Sequence, residues 1–151
     1  MPALVAIEPA RQPEVIDLLR QSDEYHFELY PAEFCYLLDV SELERPGITV
    51  FVARSDGAAL GMAALVTRGD GTAEIKRMYV SADARGLGVA GDLLRSLEDH
   101  AASLDVDTIQ LETGPLQASA LALYARHGYQ RIPNFPPYTD DGYSICMEKS
   151  I

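Results

Sequence analysis

The chain has 151 residues, 48% of them hydrophobic and 23% charged, which suits one globular domain with a real core and is short for two. Twelve Lys and Arg stand against 23 Asp and Glu, a formal charge of −11 that repels a phosphate backbone and argues against nucleic acid as a partner. No apolar run is long enough to cross a bilayer, so no membrane partner is expected.

The N-terminal MPALVAIEPARQPEV lacks a basic region followed by a long apolar block, and the expectation is a cytoplasmic protein. Cys35 and Cys146 are far apart without metal-type spacing, and His26, His100 and His127 are scattered, so neither a metal nor a disulfide framework is expected.

In chain order, Ala3 to Ile7 reads as a short strand, and Pro13 then admits a helix with Val15, Ile16, Leu18 and Leu19 on one face. The aromatic and acidic segment from Ser22 to Leu43 is divided by Pro31, with a second helix predicted around Glu33 to Leu38. Three β-rich runs follow, Thr49 to Arg54, Ala59 to Arg68 and Thr72 to Val80, separated by Gly and Asp turns in the manner of an antiparallel meander. Beyond a glycine-rich loop, Val89, Ala90, Leu93, Leu94, Leu97 and Ala101 recur at helical spacing. Thr108 to Thr113 is a strand, and a helix from about Gln117 to His127 can be stopped by Gly128. The runs YQRI and YSICMEK, around the Pro- and Asp-rich NFPPYTDDG, predict two last strands.

The loop contains a literal G-x-G-x-x-G in Gly86, Gly88 and Gly91. A dinucleotide fingerprint needs its first glycine almost directly after a buried parallel strand; here the strand ends near Val80, SADAR intervenes, and the strand itself carries Glu74, Lys76 and Arg77. The loop's physics still favours a phosphate. Glycines at a helix start let backbone N–H groups approach an anion, the helix dipole adds attraction, and Arg85 supplies a cation.

Arg85, Gly88 and Ala90 match the R/Q-x-x-G-x-G/A loop of the GNAT acetyltransferase superfamily, within AEIKRMYVSADARGLGVAGDLL. The later LETGPLQASALALYARHGYQRI is similar to that family's helix ending L-Y-x-x-x-G-F/Y, so the resemblance covers roughly Thr72 to Ile132. LYPAE with the following LLD, and the tail PPYTDDGYSICMEK, look like small bacterial members of unassigned substrate.

The resemblance implies one α/β domain with a mixed, largely antiparallel central sheet flanked by helices, transferring an acetyl group from acetyl-CoA to the amine of a small molecule or peptide. It places the pyrophosphate on the backbone of Gly86, Leu87, Gly88, Val89 and Ala90 with Arg85 assisting, and the pantetheine arm beside Met78, Tyr79 and Val80. The oxyanion donor would be a backbone N–H near Met78 or Tyr79. Tyr124, in the matching LY, is the expected acid for the leaving thiolate; Glu74 is the expected base, with Glu112 and His26 as alternatives. Gln117 stands where many relatives have an asparagine that holds the pantetheine arm. His26, Tyr30, Glu33 and Tyr138 are expected at the acceptor site, where acids and aromatics suit a protonated amine. Direct attack is expected because neither cysteine lies in a matching motif beside a base. Two other readings stay open, a CoA-binding sensor without turnover and a dinucleotide enzyme; so does homodimerisation.

Overall fold

The computed structural model describes residues 3–151. Seven strands form one sheet in the order β1-β2-β3-β4-β5-β7-β6, where β1 is Leu4–Ile7, β2 Ile48–Ser55, β3 Ala58–Thr67, β4 Thr72–Val80, β5 Thr108–Thr113, β6 Gln130–Ile132 and β7 Ile145–Ser150. Every neighbouring pair is antiparallel except β4 with β5. That parallel pair needs a crossover, supplied by helix α3, Val89–Ser103.

Alternation along the central strands explains why both faces of the sheet are covered. Val50, Val52, Met62 and Ala64 pack with Val15, Leu18 and Leu19 of α1, Pro13–Leu29, and with Leu43 of the short α2, Val40–Leu43. Phe51, Ala53, Ala63 and Leu65, one residue out of phase, pack beneath Leu93, Leu94 and Leu97 of α3. Tyr124 of α4, Ala118–Arg126, joins this second cluster. The result is the predicted mixed α/β architecture; Val15, Leu18 and Leu19 of the predicted α1 face turn inward, whereas Ile16, expected with them, is 45% exposed. Among the described residues, no helix is long and apolar enough to cross a membrane.

The second predicted helix is displaced. Residues 33–38 form no α-helix: Ala32–Phe34 is a 3₁₀ turn, and α2 begins only at Val40. Its start is set by a capping box in which Asp39 Oδ1 accepts from Glu42 N–H at 2.8 Å and Glu42 Oε1 accepts from Asp39 N–H at 3.1 Å. The preceding residues are drawn out as extended chain because Phe34 and Tyr36 turn inward onto Tyr143 and Tyr138, with ring centroids 4.5 and 4.9 Å apart.

Candidate active site

Hydrogen bonding between β4 and β5 ends at the pair Ile75 and Leu111. Beyond it β4 continues to Val80 along β3, whereas β5 continues to Thr113 along β7, so the two strands part and open a wedge in the sheet. At the same place β4 carries a bulge: Ala64 faces Lys76 and Met62 faces Tyr79, leaving Arg77 and Met78 together opposite Ala63. The bulge reverses the alternation. Ala73 and Ile75 lie in the α3 cluster, and so do Met78 and Val80, while Tyr79 packs on the α1 side.

Arg77 occupies the bulge with φ +56°, a left-handed conformation that costs a non-glycine residue about 1 kcal/mol. Its side chain, 2% exposed, lies under α1, where Nη2 donates to Leu19 O at 3.1 Å and Nη1 lies 2.8 Å from Asp23 Oδ1. The guanidinium therefore ties α1 to the bend in β4.

The outer part of the wedge is a cleft of about 650 Å³ between β4, α4 and the start of α3. Gly86 and Gly88 take φ +81° and +77°, which turns the chain sharply into α3 with Gly88 as N-cap. The first bond at the helix start runs from Asp92 N–H to Gly88 O, so the amides of Val89, Ala90 and Gly91 have no intrahelical acceptor. Met78, Tyr79, Val80, Arg85, Gln117 and the glycine turn line this cleft. Leu87 does not; its side chain is 67% exposed, and only its backbone shares in the turn.

In a chain of charge −11, the only charged side chains on this cleft, among the described residues, are Arg85 and Arg126. Arg85 is set between the rings of Tyr25 and Tyr79, its Cζ 5.5 and 6.0 Å from their centroids. Arg126 was absent from the sequence expectations; its signal was the helical spacing Ala120, Leu123, Arg126, which puts all three on the cleft side of α4. Gln117 holds the N-cap position of that helix without a side-chain cap bond; its Oε1 accepts from Gly114 N–H at 3.0 Å, and the residue lines the cleft.

A smaller cavity of about 110 Å³ continues inward through the split, and Met78, Gln117, Ala120 and Leu123 line both spaces. Tyr124 comes from the α3 side of the sheet, Lys76 and Glu112 from the α1 side, and His26, Tyr30, Phe34, Tyr36 and Tyr143 close it over. Among the described residues the Tyr124 hydroxyl has no hydrogen-bond partner in the protein. Burial, and then the Glu112 carboxylate, push this phenol well above its ordinary range, so it stays protonated.

Glu112 is raised from the usual carboxylate value, chiefly by burial, with a hydrogen bond from Ser144 and the Lys76 charge opposing; Ser144 Oγ donates to its Oε2 at 2.8 Å. His26 is lowered by burial, which favours the neutral ring. Its Nδ1 lies 2.7 Å from Ser22 O, so Nδ1 carries the proton and Nε2 the lone pair. Tyr30 Oη accepts from Leu116 N–H at 3.0 Å and holds the end of α1 to the β5–α4 turn.

Three expected site residues lie elsewhere. Glu74 does not line the cavity: its Oε1 accepts from Arg68 at 3.0 Å and its Oε2 from Tyr138 at 2.5 Å, which occupies the carboxylate on both sides. Tyr138 is correspondingly a buried anchor, 4% exposed, and not a wall of the cavity. Glu33 is exposed on the 3₁₀ turn, away from both spaces. Among the described residues, no group of three or more His, Cys, Asp or Glu is arranged to hold a metal ion.

The site is thus a sheet split between parallel strands, with a glycine turn of free amides at one end and a buried phenol beside a carboxylate at the other. The chain belongs to the acetyltransferase (GNAT) family, whose model matches residues 13–129. It is 39% identical over 149 residues to an IAA acetyltransferase from Azospirillum brasilense, covering 97% of each chain. A crystal structure of a protein assigned as an acyl-CoA N-acyltransferase, from Klebsiella pneumoniae subsp. pneumoniae MGH 78578, superposes with a TM-score of 0.86 at 34% identity, covering 98% of this chain and 97% of that one. The PaiA N-acetyltransferase from Thermoplasma acidophilum, solved in complex with coenzyme A, shares the fold with a TM-score of 0.75 at 16% identity over 98% and 99% of the chains.

Proposed function

We propose that the protein is an N-acetyltransferase that passes the acetyl group of acetyl-CoA directly to the amine of a small molecule or peptide. The observation that carries this reading is the meeting of Tyr124 and Glu112 at the inner end of a cleft whose outer end is built for phosphate. The residues present fit the cosubstrate: free amides from Val89 to Gly91 and the cations Arg85 and Arg126 suit its phosphates, and the apolar run Met78, Ala120 and Leu123 suits a narrow chain. Bound there, acetyl-CoA supplies an activated thioester.

The chain's own groups divide the proton work. Glu112 takes a proton from the neutral acceptor amine as the new C–N bond forms, and burial, by raising its pKa, makes it a better base near neutral pH. Tyr124 gives its proton to the sulfur as the C–S bond breaks; the proton on Glu112 then makes up the loss by way of the cavity. His26, neutral with its lone pair on Nε2, accepts a hydrogen bond from the acceptor and orients it. Glu112 takes the place expected for Glu74 because its carboxylate lines the cavity. We place the reaction in the cytoplasm, where the unpaired Cys35 and Cys146 would remain reduced.

The test is thiol release from acetyl-CoA across a panel of primary amines, with IAA included because the Azospirillum relative bears that name. Turnover with an amine is expected, and in Glu112→Gln it falls by about 10²-fold with the rise of kcat/KM on the acid side lost. Turnover with IAA and no amine would overturn the amine reading; tight acetyl-CoA binding without turnover would favour the sensor. Arg85→Ala is expected to weaken acetyl-CoA binding by roughly tenfold, less so at high salt, while leaving saturated kcat nearly unchanged. Isothermal titration with acetyl-CoA at two salt concentrations checks it.

A further inference from the structure

We propose that Lys76 is a positioning residue of the acceptor cavity: seated beside Glu112 where β4 and β5 part, its ammonium holds that carboxylate in the ionised form that accepts a proton. The inference rests on the reading of Glu112 as base.

The register puts the two groups together. Ile75 and Leu111 are the last bonded pair of the parallel ladder, and both turn into the α3 cluster. Lys76 and Glu112 come next in their strands and face the other way, and both line the inner cavity. Parallel strands keep like-facing residues of one level about 5 Å apart at the backbone, and the wedge has only begun to open there.

The lysine is also fixed to an unusual degree. Its side chain is 13% exposed, and Nζ donates to Tyr138 Oη at 2.6 Å and to Tyr36 O at 3.1 Å. Tyr138 Oη donates a hydrogen bond to Glu74 Oε2, and Glu74 is held by Arg68, which also donates to Gln110 Oε1 at 2.7 Å. Lys76 thus fastens both segments of the roof, residues 31–39 and 133–144, to one strand. Both close acceptors of its protons are neutral oxygens; the Glu74 carboxylate stands back at 3.7 Å with the Tyr138 hydroxyl on the oxygen nearest to it. Glu74 is the nearer carboxylate; among the described residues no hydrogen bond or ion pair joins Nζ to Glu112, so Lys76 reaches Glu112 through the field across the cavity that both line.

Burial raises Glu112, opposed by the Ser144 hydrogen bond and then by the Lys76 charge; burial lowers Lys76, opposed by Glu74 and then by Glu112. The other charged and titratable groups around Glu112 are Glu74 and Arg77 from β4, Tyr124 from α4, His26, Tyr30 and Cys35 from α1 and its continuation, and Tyr138, Asp141, Tyr143 and Cys146 from the β6–β7 hairpin. Of these, Glu74 and Asp141 oppose Lys76 by raising Glu112.

The experiment follows the side-chain carboxyl carbons of the full chain by NMR after ¹³C-glutamate labelling, with the Glu112 signal assigned by its loss in Glu112→Gln. In Lys76→Met the Glu112 midpoint is expected to move up by about one pH unit, and in Lys76→Arg to stay near the wild-type value. Tyr138→Phe, which frees the lysine while keeping its charge and the ring packing, is expected to move the midpoint in the same direction by less. Thermal unfolding of each variant verifies folding; if Lys76→Met does not fold, Tyr138→Phe and Lys76→Arg decide. An unchanged Glu112 midpoint in the folded Lys76→Met or in Tyr138→Phe overturns the inference. The base reading fails separately, by Glu112→Gln keeping full turnover with the amine found in the panel, and that result leaves the NMR outcome intact.

Discussion

Tyr124→Phe is expected to lower kcat by about 10²-fold or more, roughly 2.7 kcal/mol of barrier, while acetyl-CoA binding and thermal stability change little. The expectation follows from how the hydroxyl is held. The ring is buried in the α3 cluster against Tyr129 at a centroid separation of 5.8 Å, and phenylalanine keeps that packing. The hydroxyl is bonded to no protein group among the described residues, so its removal leaves no orphaned partner. A loss of rate then reports on the proton alone. Steady-state kinetics checks it in combination with a poorer and a better thiol leaving group: the defect should shrink when the departing thiolate is stable enough to leave unprotonated. If kcat is unaffected with both, the acid is another group or water.

Gly114→Ala is expected to lower the melting temperature by several degrees and to damage acceptor use more than acetyl-CoA binding. A Cβ at this position would stand 1.8 Å from the Tyr30 hydroxyl oxygen, 2.2 Å from Cζ and 2.8 Å from Cε2. No bond rotation within the ring plane relieves that, so Tyr30 must leave its place over the β5–α4 turn and give up the hydrogen bond from Leu116 N–H. Overpacking of this sort typically costs about 1–3 kcal/mol, several degrees for a domain of this size. The pair is diagnostic: Tyr30→Ala removes the obstacle, so Gly114→Ala added to Tyr30→Ala should cost far less than Gly114→Ala alone. Thermal unfolding of the four proteins gives the comparison, and additive losses would show that the glycine is needed for another reason.

Both residues bear on how far the site could be read from the chain. Tyr124 was legible because it sits in a local motif, L-Y-x-x-x-G-Y, on a helix whose inward face is set by spacing that tertiary structure did not alter. The glycine turn was legible for the same reason: its shape needs only a left-handed turn and a helix start. Arg126 was overlooked since its role depends on which side of α4 meets the cleft. Glu74 and Glu112 could not be told apart from sequence. Both stand on the α1 side of the sheet near the wedge, and what separates them is that Tyr138, 64 residues further along from Glu74, reaches back to occupy one carboxylate and leaves the other lining the cavity.

The sequence by itself determined the strands and all but one of the main helices, the glycine turn that opens α3, and the buried tyrosine of α4, because each rests on periodicity or on a local motif within a few residues. Only the tertiary structure decided where the sheet splits, which residues the bulge at Arg77 turns to each side, and which carboxylate lines the inner cavity. Those depend on register between strands and on the two roof segments folding over one lysine, and such long-range pairings leave no periodic trace in the chain.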